Sequence, residues 1–317
     1  MQQLTTFFGD LGALYLIAIA GYIAKRTGLF AKEADDVLTR LILYITLPAL
    51  ILFSMDTSYS AALVKDFAVL LLLSAYALGA ACLKAYYYVK GADLSSARQG
   101  VQQGLIIFGN QGFLGYAVCQ ALFSTQGVMY AAVFNLLYLA LIWTYGIYLI
   151  AKDTKALSWK MIFFNPGTIA TFLGFLIFCL PFELPIVISK FLQGLGSPTT
   201  PLSMFLIGSF VADLDFAKAW EIIKEKSLWY AAFFKLLLLP VLVIPFAFFG
   251  LNYVVLAVAV LLTAMPSAPT ISLYTKRFGG DTSYASVSVC ITTMLLPVTL
   301  PLIYWLLNLV YRLLAFL

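Results

Sequence analysis

Phe108-Gly109-Asn110-Gln111-Gly112-Phe113-Leu114-Gly115 and Thr263-Ala264-Met265-Pro266-Ser267-Ala268-Pro269-Thr270 each lie inside an apolar stretch long enough to cross a bilayer. Glycine loosens a helix, and proline removes an amide donor and clashes with the preceding turn. Carbonyls and amides freed in hydrocarbon must find protein, water or ligand partners. Paired interruptions at corresponding places in two halves of a chain therefore point to a substrate site at mid-membrane. Taken singly, each stretch has a plainer reading: glycines allow close helix packing and prolines kink a span.

The surrounding chain is of the kind such a site needs. Hydrophobic residues make up 63% of the 317, charged residues 10%, and mean hydropathy is +0.98. A chain this apolar cannot cover itself with a polar surface, so its solvent is lipid. Histidine is absent, which removes the commonest general base and metal ligand. Cys82, Cys119, Cys179 and Cys290 are far apart in apolar stretches and read as free thiols. The N-terminus has no basic region or small-residue cleavage site, so the run from Phe7 to Ala24 is expected to stay as a span.

Segments of about 20 apolar residues fall at 7–25, 36–55, 66–88, 97–123, 127–151, 167–182, 190–211, 228–249, 252–275 and 284–311. The seventh is interrupted by Gly194, Gly196, Pro198 and Pro201. Loops after odd-numbered segments carry fifteen Lys and Arg, from Lys25 and Arg26 to Lys276 and Arg277; the other side has Lys65, Lys190 and Arg312. This asymmetry makes the odd loops cytoplasmic and both termini non-cytoplasmic. The net charge of +5 is thus membrane topology and implies no nucleic-acid partner. Asp213–Ser227, with Leu214, Phe216, Trp220 and Ile223 among its charges, reads as an interfacial helix.

The halves match at a fixed offset. Thr46-Leu47-Pro48 answers Thr199-Thr200-Pro201, 153 residues on, and Tyr130-Ala131 answers Tyr284-Ala285, 154 on. Repeats of five spans insert in opposite orientations because five is odd. The expected fold is an all-α polytopic membrane protein of ten helices in two inverted repeats, 1–151 and 167–317, joined by a short cytoplasmic linker, 152–166. Helices four and nine are the broken pair. Their available chemistry is polar and uncharged: the Asn110 and Gln111 amides beside Gly112, and the Ser267 and Thr270 hydroxyls between Pro266 and Pro269. Ser267-Ala268-Pro269 reads as a fresh helix start, whose free N–H groups and positive dipole end suit a carboxylate.

Thr46-Leu47-Pro48-Ala49-Leu50, the run Gly109 to Tyr116, Pro201 to Gly208, and Ala264-Met265-Pro266-Ser267-Ala268 through Gly279-Gly280-Asp281 together resemble the auxin efflux carrier family, over the whole chain. The resemblance implies crossed helices four and nine and a fold like that of bile-acid sodium symporters. It also implies small organic anions as substrates: plant members export auxin, and bacterial members are linked to malonate and malate. The short central linker is of the bacterial type. Asn110 matches the family's crossover asparagine. Many members have a proline where this chain has Ala117, which puts the break of helix four in question.

Lys235, inside the eighth span, reads either as a side chain reaching back to the interface or as a counter-charge for an anionic substrate. Asp10, Asp56, Asp213 and Asp215 lie at span ends and suit capping or solvated roles. Asn135, Thr292 and Thr293 are candidates for lining an ion site or cavity, or for bonding the preceding turn. The expected function is a carrier or facilitator of small carboxylates such as malonate, malate or auxin-like acids, working by alternating access in the inner (plasma) membrane. Alternatives are a sodium-coupled symporter of another solute, or a channel or sensor. A membrane-embedded enzyme lacks its nucleophile or metal set. No cofactor is expected beyond Na+ or H+ as coupling ion, and the family likeness leaves room for a homodimer.

Overall fold

Long apolar runs of Leu, Ala, Val and Phe satisfy their own backbone groups within each segment, and in this chain they do so as helix. The computed structural model describes residues 2–31, 33–57, 60–151, 166–180, 184–213 and 216–314. Six helices among them are long and apolar enough to cross a membrane: Ala34–Met55, Ala61–Gly91, Gln111–Ala151, Ile186–Ala212, Lys226–Phe249 and Thr282–Leu314. Pro166–Phe178 and Tyr253–Thr263 are shorter apolar helices. Gln2–Arg26 is a 25-residue helix ending in Lys25 and Arg26. Gln111–Ala151 is two helices joined at Ser124, where φ of 52° leaves the helical region. Ile186–Ala212 is interrupted at Ser197 and Pro198, inside the Gly/Pro-rich segment.

The helices gather into two compact units that cut across the sequence halves. The first takes Met1–Leu70, Gly112–Leu136 and Phe163–Asp213; the second takes Leu71–Gln111, Leu137–Ile162 and Leu214–Leu317. Nearly all of the linker 152–166 lies outside the described residues.

The first unit is built on glycine contacts. We label Gln2–Arg26 α1 and Thr199–Ala212 α2. A Cβ added to Gly208 would stand 1.7 Å from the Ala18 carbonyl oxygen, and one on Gly21 would stand 2.0 Å from that of Phe205. Only glycine lets the two backbones approach so closely. At one end of this pair Lys25 Nζ reaches Asp35 Oδ2 at 2.6 Å and Asp213 at 3.5 Å, and Ser209 Oγ donates to Asp35 Oδ1 at 2.5 Å. Asp56 accepts the Leu184 N–H at 2.9 Å, a capping role in keeping with its place at a helix end. Asp66 accepts from the Tyr130 hydroxyl at 2.5 Å. The surroundings of Asp10 and Asp215 lie outside the described residues.

The second unit holds both interrupted stretches. Ser96–Ile107, here α3, ends where Phe108–Asn110 unwind. Tyr253–Thr263 (α4) and Pro269–Phe278 (α5) flank the break at 264–268. The helix Phe216–Ile223 covers the stretch read as interfacial, with Trp220 exposed. None of the four cysteines is in a disulfide.

Candidate functional site

Gly109 and Ser267 meet as an isolated antiparallel β-bridge. The Asn110 N–H donates to the Pro266 carbonyl at 2.6 Å, and the Ala268 N–H donates to the Phe108 carbonyl at 3.0 Å. Two broken helices thus pair their unwound backbones, each supplying what the other lost. Helix four breaks without a proline: α3 stops at Ile107, and Ala117 sits buried in the helix beyond. Close approach is the reason Gly109 is needed. A Cβ there would lie 2.9 Å from Lys235 Cε and 3.2 Å from the Met265 carbonyl oxygen.

The carbonyls at the broken end of α3 draw donors from several elements. Ser267 Oγ donates to Leu105 at 2.9 Å, Lys235 Nζ to Ile107 at 3.1 Å, and the Tyr138 hydroxyl to Gly109 at 2.7 Å. On the other strand, the Ser267 N–H donates to Thr292 Oγ1 at 3.2 Å. Such accounting is what a dry interior demands, because each unpaired buried carbonyl costs about 1–3 kcal/mol. Phe108 and Tyr138 also pack edge to face, with ring centroids 5.8 Å apart.

Lys235 does not reach back to an interface. It is 1% exposed, and its ammonium lies against the carbonyl end of α3, where the helix dipole is negative. Among the described residues no carboxylate lies within ion-pair distance of it.

Two polar atoms at the crossover have no partner: Asn110 Nδ2 and Gln111 Oε1, on residues 2% and 3% exposed. Gln111 Nε2 is engaged by the Leu262 carbonyl at 3.2 Å. Pro269 opens α5 as its first residue and Thr270 follows it, half-buried. The crossover therefore brings together Asn110, Gln111, Pro266, Ser267, Pro269, Lys235 and Thr292. Thr293 only bonds the Val289 carbonyl of its own helix. Gly112 and Asn135 belong to the first unit. A Cβ at Gly112 would meet nothing within 4 Å, and the Asn135 side chain bonds that of Tyr116 and leaves its Oδ1 unpaired.

Sequence reasoning missed Tyr138 and the network around Gln102 of α3. There the Tyr284 hydroxyl donates to Gln102 Oε1 at 2.7 Å, Gln102 Nε2 donates to the Ser227 carbonyl at 2.8 Å, and Arg98 pairs with Glu225 and Asp281. The match of Tyr130-Ala131 with Tyr284-Ala285 drew attention to Tyr284 as repeat evidence, but nothing local marked its partners.

Apolar helices of spanning length with a pair of broken segments crossed at a buried polar centre define a multi-pass membrane protein of transporter type. A family model described as membrane transport protein matches twice, over residues 6–158 and 153–304. The chain belongs to that family, the auxin efflux carrier family its motifs resemble. It is similar to an uncharacterized transporter of Methanothermobacter thermautotrophicus, 25% identical over 301 residues, covering 92% of this chain and 95% of the relative. It is also similar to an uncharacterized transporter of Methanocaldococcus jannaschii, 28% identical over 223 residues, covering 66% and 70%.

Proposed function

We propose that this protein carries small organic anions by alternating access, binding a carboxylate at the crossover. The observation that supports this best is the Asn110 side-chain amide: buried, unpaired at Nδ2, and on the residue next to the backbone bridge. A buried donor without a partner is costly, and a site that keeps one is suited to a ligand acceptor. Beside it, α5 begins with Pro269, so the dipole end and free amides of a half-helix favour negative charge. Lys235 supplies the cation that a carboxylate would face in a low-dielectric setting.

The frame is ten helices in two inverted repeats of five, with odd loops cytoplasmic in the inner membrane, and flux arises as the repeats exchange conformations. The spread of Lys and Arg and the 153–154 offset support that arrangement. Asn110, Gln111, Ser267 and Thr270 contact the substrate in this reading. The test is a thermal-shift screen of malonate, malate and indole-3-acetate on the purified protein, followed by flux of any stabilising acid into proteoliposomes. Asn110→Ala is expected to abolish flux with expression intact. Wild-type flux in that variant removes Asn110 from the site.

A further inference from the structure

We infer that the first unit binds a monovalent metal cation between Ala34–Met55 and Ile186–Ala212, held by the hydroxyls of Thr46, Thr199 and Ser203. The inference is independent of the crossover and of what the crossover binds. It grows from the repeated motif Thr46-Leu47-Pro48 and Thr199-Thr200-Pro201, which the carboxylate reading leaves unused. The two helices lie side by side and antiparallel. Ser209 Oγ bonds Asp35 toward one end, and a Cβ on Gly196 would stand 2.7 Å from Leu50 Cα toward the other. Between those contacts the turn Ile42–Thr46 packs on α2, so the two copies of the motif face each other along the pair.

Both helices are opened at that level. Ile42–Thr46 is a widened π-helical turn, in which the Leu47 N–H reaches back to the Ile42 carbonyl. Pro48 and Pro201 each remove an amide donor from a carbonyl about one turn earlier. Thr46, Thr199 and Ser203 are 3%, 1% and 0% exposed, and their hydroxyls have no hydrogen-bond partner. Other buried threonines of this chain behave differently: Thr171, Thr263 and Thr292 turn their hydroxyls back onto their own helix. Thr200, next to Thr199, is engaged with Gln120. Three unpaired hydroxyl oxygens beside proline-freed carbonyls make a neutral oxygen cage in a dry interior. Divalent ions draw on carboxylates, and Asp35 is already shared by Lys25 and Ser209. Sodium and potassium are held by neutral oxygens of this kind.

The test is the melting temperature of the purified full chain in sodium chloride and in potassium chloride, each against equimolar choline chloride. The wild type is expected to melt several degrees higher in at least one alkali salt, since a ligand bound only by the folded state stabilises it. Thr46→Val and Thr199→Val keep the side-chain shape, remove one oxygen each, and are expected to lose that shift. Thr171→Val, in the same unit, removes a hydroxyl already bonded to the Gly167 carbonyl and is expected to keep it. A wild type indifferent to the three salts overturns the inference and leaves water as the partner of the hydroxyls. A shift that survives both Thr46→Val and Thr199→Val overturns it by placing the ion elsewhere, and so does a shift lost equally in Thr171→Val. Where neither of the first two variants gives folded protein, Ser203→Ala, the smallest deletion, decides between the same outcomes. Because no carboxylate enters, failure here is distinct from failure of the carboxylate reading, which the acid screen decides separately.

Discussion

In the first unit α1 and α2 meet through missing side chains; at the crossover in the second unit, helix ends meet through hydrogen bonds that neither can make alone. Gly21 and Gly208 bring two helices into close backbone contact. Phe108–Asn110 and Pro266–Ala268 give up intrahelical bonds and depend on Ser267, Lys235, Tyr138 and Thr292 to replace them. The first contact is made by backbone against backbone where the side chains are missing. The second leaves Asn110 Nδ2 unpaired in its interior. Close packing makes a rigid element, whereas a helix break makes a polar centre that is never wholly self-satisfied.

The contrast breaks most visibly in stability at Gly208. A methyl group at 1.7 Å from a backbone oxygen cannot be relieved by turning a side chain, so α1 and α2 must part. Gly208→Ala is expected to cost at or above about 3 kcal/mol, the upper end of overpacking effects. A melting curve close to wild type would show that the helix pair is looser than its geometry.

At the crossover, Ser267→Ala removes the donor to the Leu105 carbonyl while keeping the chain's shape. A buried carbonyl left without that donor is expected to cost about 1–3 kcal/mol, measurable by thermal or chemical unfolding of the purified protein. An unchanged stability would mean that the break in α3 does not depend on its neighbours for hydrogen bonds, which removes the distinction drawn between the units.

Arg98 gives a smaller effect. Its Nη1 meets Glu225 at 2.5 Å and its Nε meets Asp281 at 2.7 Å, and its side chain is 29% exposed. Arg98→Gln is expected to cost about 0.2–1 kcal/mol per pair, and the loss should shrink in high salt, where exposed pairs are screened. A large, salt-insensitive loss would make this cluster as central to the second unit as the crossover.

What the sequence made legible follows from locality. Pro266, Pro269 and the glycines from 109 to 115 carry their backbone consequences at their own positions, so both breaks and the half-helix start at Pro269 can be read directly. The alternation of Lys and Arg is likewise a property of loops. The place of Lys235 is different, because Ile107 lies 128 residues away and only folding brings them together. An ammonium seven residues inside an apolar span has two destinations, an interface or a cavity, and its own neighbours do not choose between them. Tyr138 and Gln102 were invisible for the same reason: each is one of many polar residues on helices, distinguished only by a distant carbonyl or hydroxyl.

Asn110 is where stability and function should separate most cleanly. Its main-chain N–H holds the Pro266 carbonyl at 2.6 Å and is retained in Asn110→Ala. Its side-chain Nδ2 has no protein partner, so deleting it removes a buried donor that contributes nothing to the fold. The variant is expected to unfold within about 1 kcal/mol of wild type, since removing an unsatisfied polar group is close to neutral. It should nevertheless lose the thermal shift given by whichever carboxylate stabilises the wild type. A strongly destabilised Asn110→Ala protein would mean that the amide is fastened within the protein. The crossover would then be as closed as the glycine contact of α1 and α2, and the carboxylate would have to bind elsewhere.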